Sequence, residues 1–364
     1  MIDFKVLEQL IRVQVDAGCS SRLRTAYCQL AAGSLQALPA AKKTRHKAVN
    51  APPELNLAGL SSKAQIAAGL SAIEANPASM SALLDEAYKN PKGIVIGITG
   101  PPGAGKSTLI NALISKWRIQ GKTVAVIAVD PSSRATGGAL LGDRVRMRTD
   151  PNDSGVFIRS LAARGRLGGL ADIAYPSVAL VRALYDKIIV ESVGVGQSET
   201  DIATVSDTVV LCIQPASGDS LQFMKAGIAE IPDIAVVTKA DMGAAATRAL
   251  ADLKGALGLS HRDKGAWEPE CMSVSSTHGD GSLRQLFAAF DRHESWLLNA
   301  NRLAEGREKK AQAWVQAEIQ AQFGQRGLDI AAQGLFQSWN KRPFATARRV
   351  LAELAIVRTC ATTG

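Results

Sequence analysis

Nine consecutive residues, Gly100-Pro101-Pro102-Gly103-Ala104-Gly105-Lys106-Ser107-Thr108, have the types and the spacing to hold a polyphosphate. They fit G-x-x-x-x-G-K-[ST]. In that pattern the glycines let backbone N–H groups close around phosphate oxygens, the lysine reaches the outer phosphates, and the next hydroxyl reaches Mg²⁺. An ordinary glycine-rich turn has a similar composition, so the flanks decide. Ile94-Val95-Ile96-Gly97-Ile98-Thr99 is a short apolar run of the kind that forms a parallel strand buried on both faces. Leu109, Ile110, Leu113, Ile114 and Trp117 recur at helical spacing after it. Strand, glycine loop and helix form the setting in which a helix N-terminus faces the anion.

A nucleotide site also needs acids near the metal, a sensor of the terminal phosphate and a reader of the base. The run Val124–Val129 ends in Asp130, and a carboxylate at the carboxyl end of a parallel strand points into the ligand crevice. Asp130 can hold a Mg²⁺-bound water or activate the attacking one; a helix cap is the structural alternative. Asp143, in Gly142-Asp143-Arg144, is a second metal-shell candidate, with a surface acid as the alternative. Ile188-Ile189-Val190-Glu191 is another apolar strand ending in an acid, in the slot for a second metal-associated carboxylate. Gly194 follows in a glycine-rich stretch, where the missing Cβ lets its N–H approach a terminal phosphate. Gln197 either orients water or is a surface polar residue.

Base choice is read from Thr238-Lys239-Ala240-Asp241, which resembles the guanine motif N-K-x-D with Thr in place of Asn. The Asp241 carboxylate can accept two hydrogen bonds from guanine N1–H and the 2-amino group, which adenine lacks, and the Lys239 stem can cover the base. Ser275-Ser276-Thr277 would close over guanine O6 with backbone N–H groups.

Short apolar runs at 93–99, 123–129, 155–159, 187–191, 207–213, 233–238 and 270–275 alternate with helical stretches. This pattern predicts an α/β fold with a mostly parallel sheet flanked by helices, the P-loop NTPase arrangement. Four segments follow: a basic N-terminal extension over 1–55, a helical segment over 56–92 (Ile66, Leu70, Ile73, Met80, Leu83, Leu84), a nucleotide domain over 93–290, and a helical segment over 291–364. The last carries Trp296, Trp314, Val315, Ile319 and Phe323 at helical spacing. A helix lying on the core explains that pattern; a dimer arm is the favoured alternative. Within the 364 residues no apolar run is long enough to cross a membrane. The acidic start argues against a signal peptide, and five scattered cysteines without C-x-x-C suit a reducing cytoplasm rather than a zinc site. The net charge of +9 is spread along the chain with few aromatic residues, so no nucleic-acid role is expected. A local excess, Arg134, Arg144, Arg146, Arg148, Arg159, Arg164 and Arg166, is either a solvated face or a surface for an anion or an acidic partner.

Taken together, the chain resembles the MeaB/ArgK-type GTPases, the G-protein chaperones of methylmalonyl-CoA mutase and related B12-dependent acyl-CoA mutases. The resemblance rests on Gly100–Thr108, Val129–Ser133, Gly137–Arg144, Phe157-Ile158-Arg159, Gly168-Gly169, Glu191–Glu199 and Gly218–Gln222, and spans about residues 60–325. It implies binding of GTP, GDP and Mg²⁺, a homodimer with C-terminal helical arms, and hydrolysis stimulated by the mutase. It also implies gated delivery or protection of adenosylcobalamin, with the mutase and its adenosyltransferase as partners. Gln214–Lys225 resembles an additional switch loop, in which Asp219 and Lys225 match the partner-coupling positions. The chain departs from the family pattern in Ser160–Gly165 after F-I-R and in G-D-S-L-Q-F at 218–223. Two other tasks suit the same fold. Insertion of another metallo-cofactor such as nickel would call for clustered His or Cys, and the four histidines lie far apart. A transport-linked kinase would call for an acceptor site and usually ATP.

Overall fold

The computed structural model describes residues 56–131, 150, 152–163, 173–192, 198–215, 230–258, 265–276, 281–332 and 341–362. Asp143, Gly194, Gln197, Asp219, Lys225 and Thr277 lie outside them, as do the basic N-terminal stretch and the apolar positions Leu335, Phe336 and Trp339.

Seven strands, β1 (Ile94–Thr99), β2 (Val124–Pro131), β3 (Val156–Ala163), β4 (Lys187–Glu191), β5 (Thr208–Ile213), β6 (Ile234–Thr238) and β7 (Glu270–Val274), form one sheet in the order β3-β2-β4-β1-β5-β6-β7. All neighbouring pairs are parallel. The apolar runs mark every one of these strands. β2 and β3 run further than the runs alone predict, because Asp130 and Pro131 continue the ladder opposite Ala162 and Ala163. Asp130 therefore lies within the strand rather than beyond its end.

β1, β5 and β6 are buried along their whole length, as central parallel strands must be. Alternation sorts their side chains. Ile94, Ile96 and Ile98 face one layer with Leu109, Ile110, Leu113 and Trp117 of α3 (Lys106–Ile119) and Leu286, Phe287 and Phe290 of α7 (Ser282–Leu298). Leu211, Ile213, Ala235 and Val237 pack with Ala246, Ala249 and Leu253 of α6 (Ala244–Leu257). The helical segment ahead of β1 consists of α1 (Lys63–Ala75) and α2 (Ser81–Lys89), both of which pack on α4 (Ala174–Leu184). Ser62 opens α1 through a capping box with Gln65, satisfying donors that would otherwise be orphaned. α1 is also tied to β3: Arg159 pairs with Glu74 at 2.7 Å and donates to Ser71. Of the arginine-rich stretch, Arg159 lies among the described residues, and it is committed to the fold.

After α5 (Ser198–Val205), Asp207 fastens the amino-terminal edge of the sheet. Its carboxylate accepts the Val95 N–H at 2.9 Å and hydrogen bonds from Arg307 Nε and Nη2, at 2.9 and 2.6 Å, while Arg307 Nη2 also donates to the Gly93 carbonyl. Arg307 belongs to α8 (Arg302–Ile330), which is interrupted at Gly324 and followed by α9 (Pro343–Thr362). Among the described residues no helix is long and apolar enough to cross a membrane. The chain divides into two compact units, whose described parts are 56–314 and 315–362.

Candidate functional site

β1 is flanked by β4 and β5, and the chain leaves it in one direction toward β2 and later in the other toward β6 and β7. Its carboxyl end is thus a topological switch point, where open parallel sheets bind ligands. The nine-residue loop occupies that point. Gly100, Gly103 and Gly105 have φ of 135°, 77° and 81°. A side chain at Gly100 would collide with the Cys212 carbonyl of β5, so only glycine turns the chain there. Burial pushes the Cys212 thiol up to about 12, leaving it uncharged beneath the loop. Gly105 is the N-cap of α3, and Lys106 is its first residue. The Lys106 ammonium donates to the carbonyls of Gly100 at 2.7 Å and Pro101 at 3.2 Å, at the floor of the loop. Ala104 is buried, whereas Pro102 and Thr108 are exposed.

The Ser107 hydroxyl donates to Glu191 Oε1 at 3.3 Å, across 84 residues of sequence. Glu191 ends β4 and is buried. Beside it, Ser192 donates through its hydroxyl to Thr99 at 2.8 Å and through its N–H to the Ile98 carbonyl at 3.1 Å. The ends of β1 and β4 are therefore closed together directly below the loop. A hydroxyl and a carboxylate at this spacing are hard oxygen donors that fit Mg²⁺, which takes few protein ligands and keeps phosphates and waters for the rest. Among the described residues no group of three or more His, Cys, Asp and Glu forms a metal cage. The Asp130 backbone reaches the same edge of the sheet, one strand beyond β4.

On the other side of β1 stands the second half of the site. Thr238 ends β6 and is buried; its hydroxyl donates to the Ala104 carbonyl at 2.7 Å and lies 3.1 Å from that of Ile213. Lys239 follows with φ 53° and ψ 46°, a left-handed conformation that a non-glycine residue adopts at some strain. Its ammonium donates to Gln214 Oε1 at 2.7 Å. The Ser275 hydroxyl donates to Asp241 Oδ1 at 3.0 Å, and the Ser275 N–H is held by the Ser282 hydroxyl at 3.0 Å. Ser276 is half-buried beside it. The structure thus brings Gly100–Thr108 together with Glu191, and links the loop through Thr238 to Lys239, Asp241 and Ser275. Sequence reading missed the Thr99–Ser192 pair, the bond from Thr238 to the loop and the bond from Gln214 to Lys239. No local pattern marks them, since each joins residues 25 or more apart.

Comparison with known proteins finds relatives of this chain. The model of the family described as Methylmalonyl Co-A mutase-associated GTPase MeaB matches residues 68–329. A Pyrococcus abyssi protein whose name provisionally calls it a GTPase is 41% identical over 272 residues, covering 71% of this chain and 83% of its own. The Mus musculus methylmalonic aciduria type A homolog, mitochondrial, is 37% identical over 228 residues, covering 62% of this chain and 55% of that protein. The crystal structure of an LAO/AO transport system kinase superposes with a TM-score of 0.58 at 24% identity, covering 85% of this chain and 98% of its own; this is a likeness of fold.

Proposed function

The chain belongs to the methylmalonyl Co-A mutase-associated GTPase family, MeaB, and we propose that it uses GTP hydrolysis to gate or protect adenosylcobalamin loading on a B12-dependent acyl-CoA mutase. The match over residues 68–329 carries this reading, and the paired half-sites around β1 supply its chemistry.

In hydrolysis, water attacks the γ-phosphorus, the bond to the β–γ bridging oxygen breaks, and GDP and phosphate leave. Charge develops on the bridging oxygen and is met by fixed dipoles that need no reorganisation. The N–H groups of 100–108 and the N-terminus of α3 provide them, and Lys106 exchanges carbonyl oxygens for phosphate oxygens within the same loop. Ser107 and Glu191, with Asp130 and Asp143, would hold Mg²⁺, which neutralises charge on the phosphate oxygens when bound. Glu191 is kept in place by its buried position and by the Ser192–Thr99 pair that follows it. Gly194 would sense the γ-phosphate and Gln197 would orient water. Asp241, oriented by Ser275, reads guanine, with Ser276 and Thr277 closing over O6.

Two measurements test this. Calorimetry should show GDP bound more tightly than ADP by several kcal/mol; comparable affinities would remove the guanine reading and favour the kinase one. A phosphate-release assay should show a faster rate with a cobalamin-dependent acyl-CoA mutase added, and Lys225→Ala should blunt that stimulation. If no such mutase of the host changes the rate, the protein remains a GTPase and the chaperone role is dropped.

A further inference from the structure

We propose that Gln214 is a base-positioning residue: it fixes Lys239 where the lysine stem must lie for Asp241 to read the base. The proposal rests on the guanine reading of Asp241. It begins at Thr238. A hydroxyl has one proton to donate, and here that proton goes to the Ala104 carbonyl at 2.7 Å, with the Ile213 carbonyl at 3.1 Å. A side-chain amide at this position would have two N–H donors and could serve the loop and the base together. Thr238 serves the loop alone, so placement of the base falls to Lys239 and Asp241.

Lysine is a poor positioning group by itself. Its four-carbon stem is free to rotate, and holding it costs side-chain entropy. Two features restrict it here. The backbone at Lys239 is left-handed, with φ 53°, and the ammonium is bound to Gln214 Oε1 at 2.7 Å. Gln214 directly follows Ile213, whose carbonyl faces Thr238, so its backbone is tied to the same junction. Its carboxamide also lies beside the phosphate loop, since its Oε1 and Nε2 are the atoms nearest to where a Gly103 Cβ would stand, each at 3.9 Å. One neutral side chain therefore spans the phosphate loop and the base-reading lysine. A neutral acceptor holds the ammonium without cancelling a charge that sits close to an anionic nucleotide.

Gln214→Ala and Gln214→Glu in the full-length protein test this, read out by GDP calorimetry, by competition with pyrophosphate, by KM and kcat for GTP, and by melting temperature. The alanine variant should lose about five- to tenfold in GDP affinity, as expected for one charge-assisted hydrogen bond partly screened by solvent. The loss should fall on KM rather than kcat, pyrophosphate should compete as in the wild type, and the melting temperature should hold. Glutamate keeps an acceptor oxygen but cancels the ammonium charge beside an anionic nucleotide, so that variant too should bind GDP more weakly than the wild type; a glutamate variant with wild-type affinity would overturn the argument for a neutral acceptor. Unchanged GDP affinity in the alanine variant overturns the proposal. So does an equal loss for GDP and pyrophosphate, which would assign Gln214 to the phosphate loop. Failure of the wild type to distinguish GDP from ADP would instead sink the Asp241 reading, and calorimetry on the unmodified protein separates the two.

Discussion

Two charged residues of the candidate site, Lys106 and Glu191, should fail differently when removed. Lys106 begins α3 and is bound to carbonyls of the loop; on the proposed reading it meets phosphate in the ground state, and Lys106→Ala should abolish or greatly weaken GTP and GDP binding. Glu191 is buried against Ser107, at the place proposed for the metal and the terminal phosphate. Glu191→Ala should lower the hydrolysis rate by more than it lowers affinity. A wild-type rate in that variant, measured by phosphate release, would remove its role. Lys239 offers a different trade. Left-handed backbone costs a non-glycine residue about 1–2 kcal/mol, and glycine returns about 0.5–1 of that as unfolded-state entropy. Lys239→Gly should leave the fold as stable or slightly more so, while weakening guanine nucleotides, a pairing that melting and calorimetry together would reveal. Lys106, Ser107, Glu191 and Asp241 could be singled out in the sequence because each ends or follows a strand, at the edge where open parallel sheets bind ligands. The role proposed for Gln214 was not legible. Its meaning depends on Lys239, 25 residues away on another strand end.

At the scale of elements, the strands were readable because parallel strands buried on both faces leave unbroken apolar runs, and only the ends of β2 and β3 escaped. What no run of residues shows is how α7 and α8 grip the sheet. On α7, His293 is buried between Trp267, at 4.7 Å, and Trp296, at 5.7 Å, with its Nδ1 2.9 Å from the Thr208 hydroxyl. Burial pushes its imidazole down to about 4, outweighing the carboxylates of Asp207 and Glu270 and acting with the charge of Lys310. The folded protein thus keeps His293 neutral, whereas the unfolded chain protonates it near its usual value of 6.5. Stability from this group is full above pH 6.5 and falls as pH drops toward 4, by roughly 3 kcal/mol at most. Urea midpoints at pH 5 and 7.5 should differ accordingly, and His293→Gln should flatten that difference. On α8, burial would raise the Asp207 carboxyl, yet the hydrogen bonds and charge of Arg307 outweigh it and hold the carboxyl below its usual range. That contribution is lost only at more acid pH than the His293 effect. Arg307→Ala would leave the Asp207 charge buried without its bidentate partner, and about 3–5 kcal/mol of stability should go with it. A smaller change in the urea midpoint would mean that Lys310, bonded to the Ser206 carbonyl, takes over.

For the molecule as a whole, the proposed dimer must be carried by surface that the fold does not already use. Two of the aromatic residues that suggested an arm are engaged elsewhere: Trp296 stacks on His293, and Trp314 stacks on Tyr175 at 5.3 Å. Val315, Ile319 and Phe323 are buried, as are Phe344, Ala347, Val350 and Leu354 of α9. At Gly327 a Cβ would collide with Phe323 of α8 itself and make ordinary contact, at 3.8 Å, with Leu354 of α9. The spacing of these residues was legible in the sequence, but whether they face the same chain or another was not. Their periodicity records burial and says nothing of what does the burying. The place to test assembly is therefore the geometry of the arm. α8 breaks at Gly324, where φ is 70° and ψ is −172°. That region is essentially restricted to glycine, and another residue held there is strained by roughly 1–3 kcal/mol. Gly324→Ala should straighten or strain the segment beyond it while leaving the phosphate loop, Glu191 and Asp241 untouched. If the segment forms the arm, light scattering should give a dimer mass for the wild type and a shift toward monomer for the variant at micromolar concentration, with basal GTP hydrolysis retained. A monomeric wild type would discard the arm. A dimer indifferent to Gly324→Ala would place the interface on the nucleotide-binding unit instead.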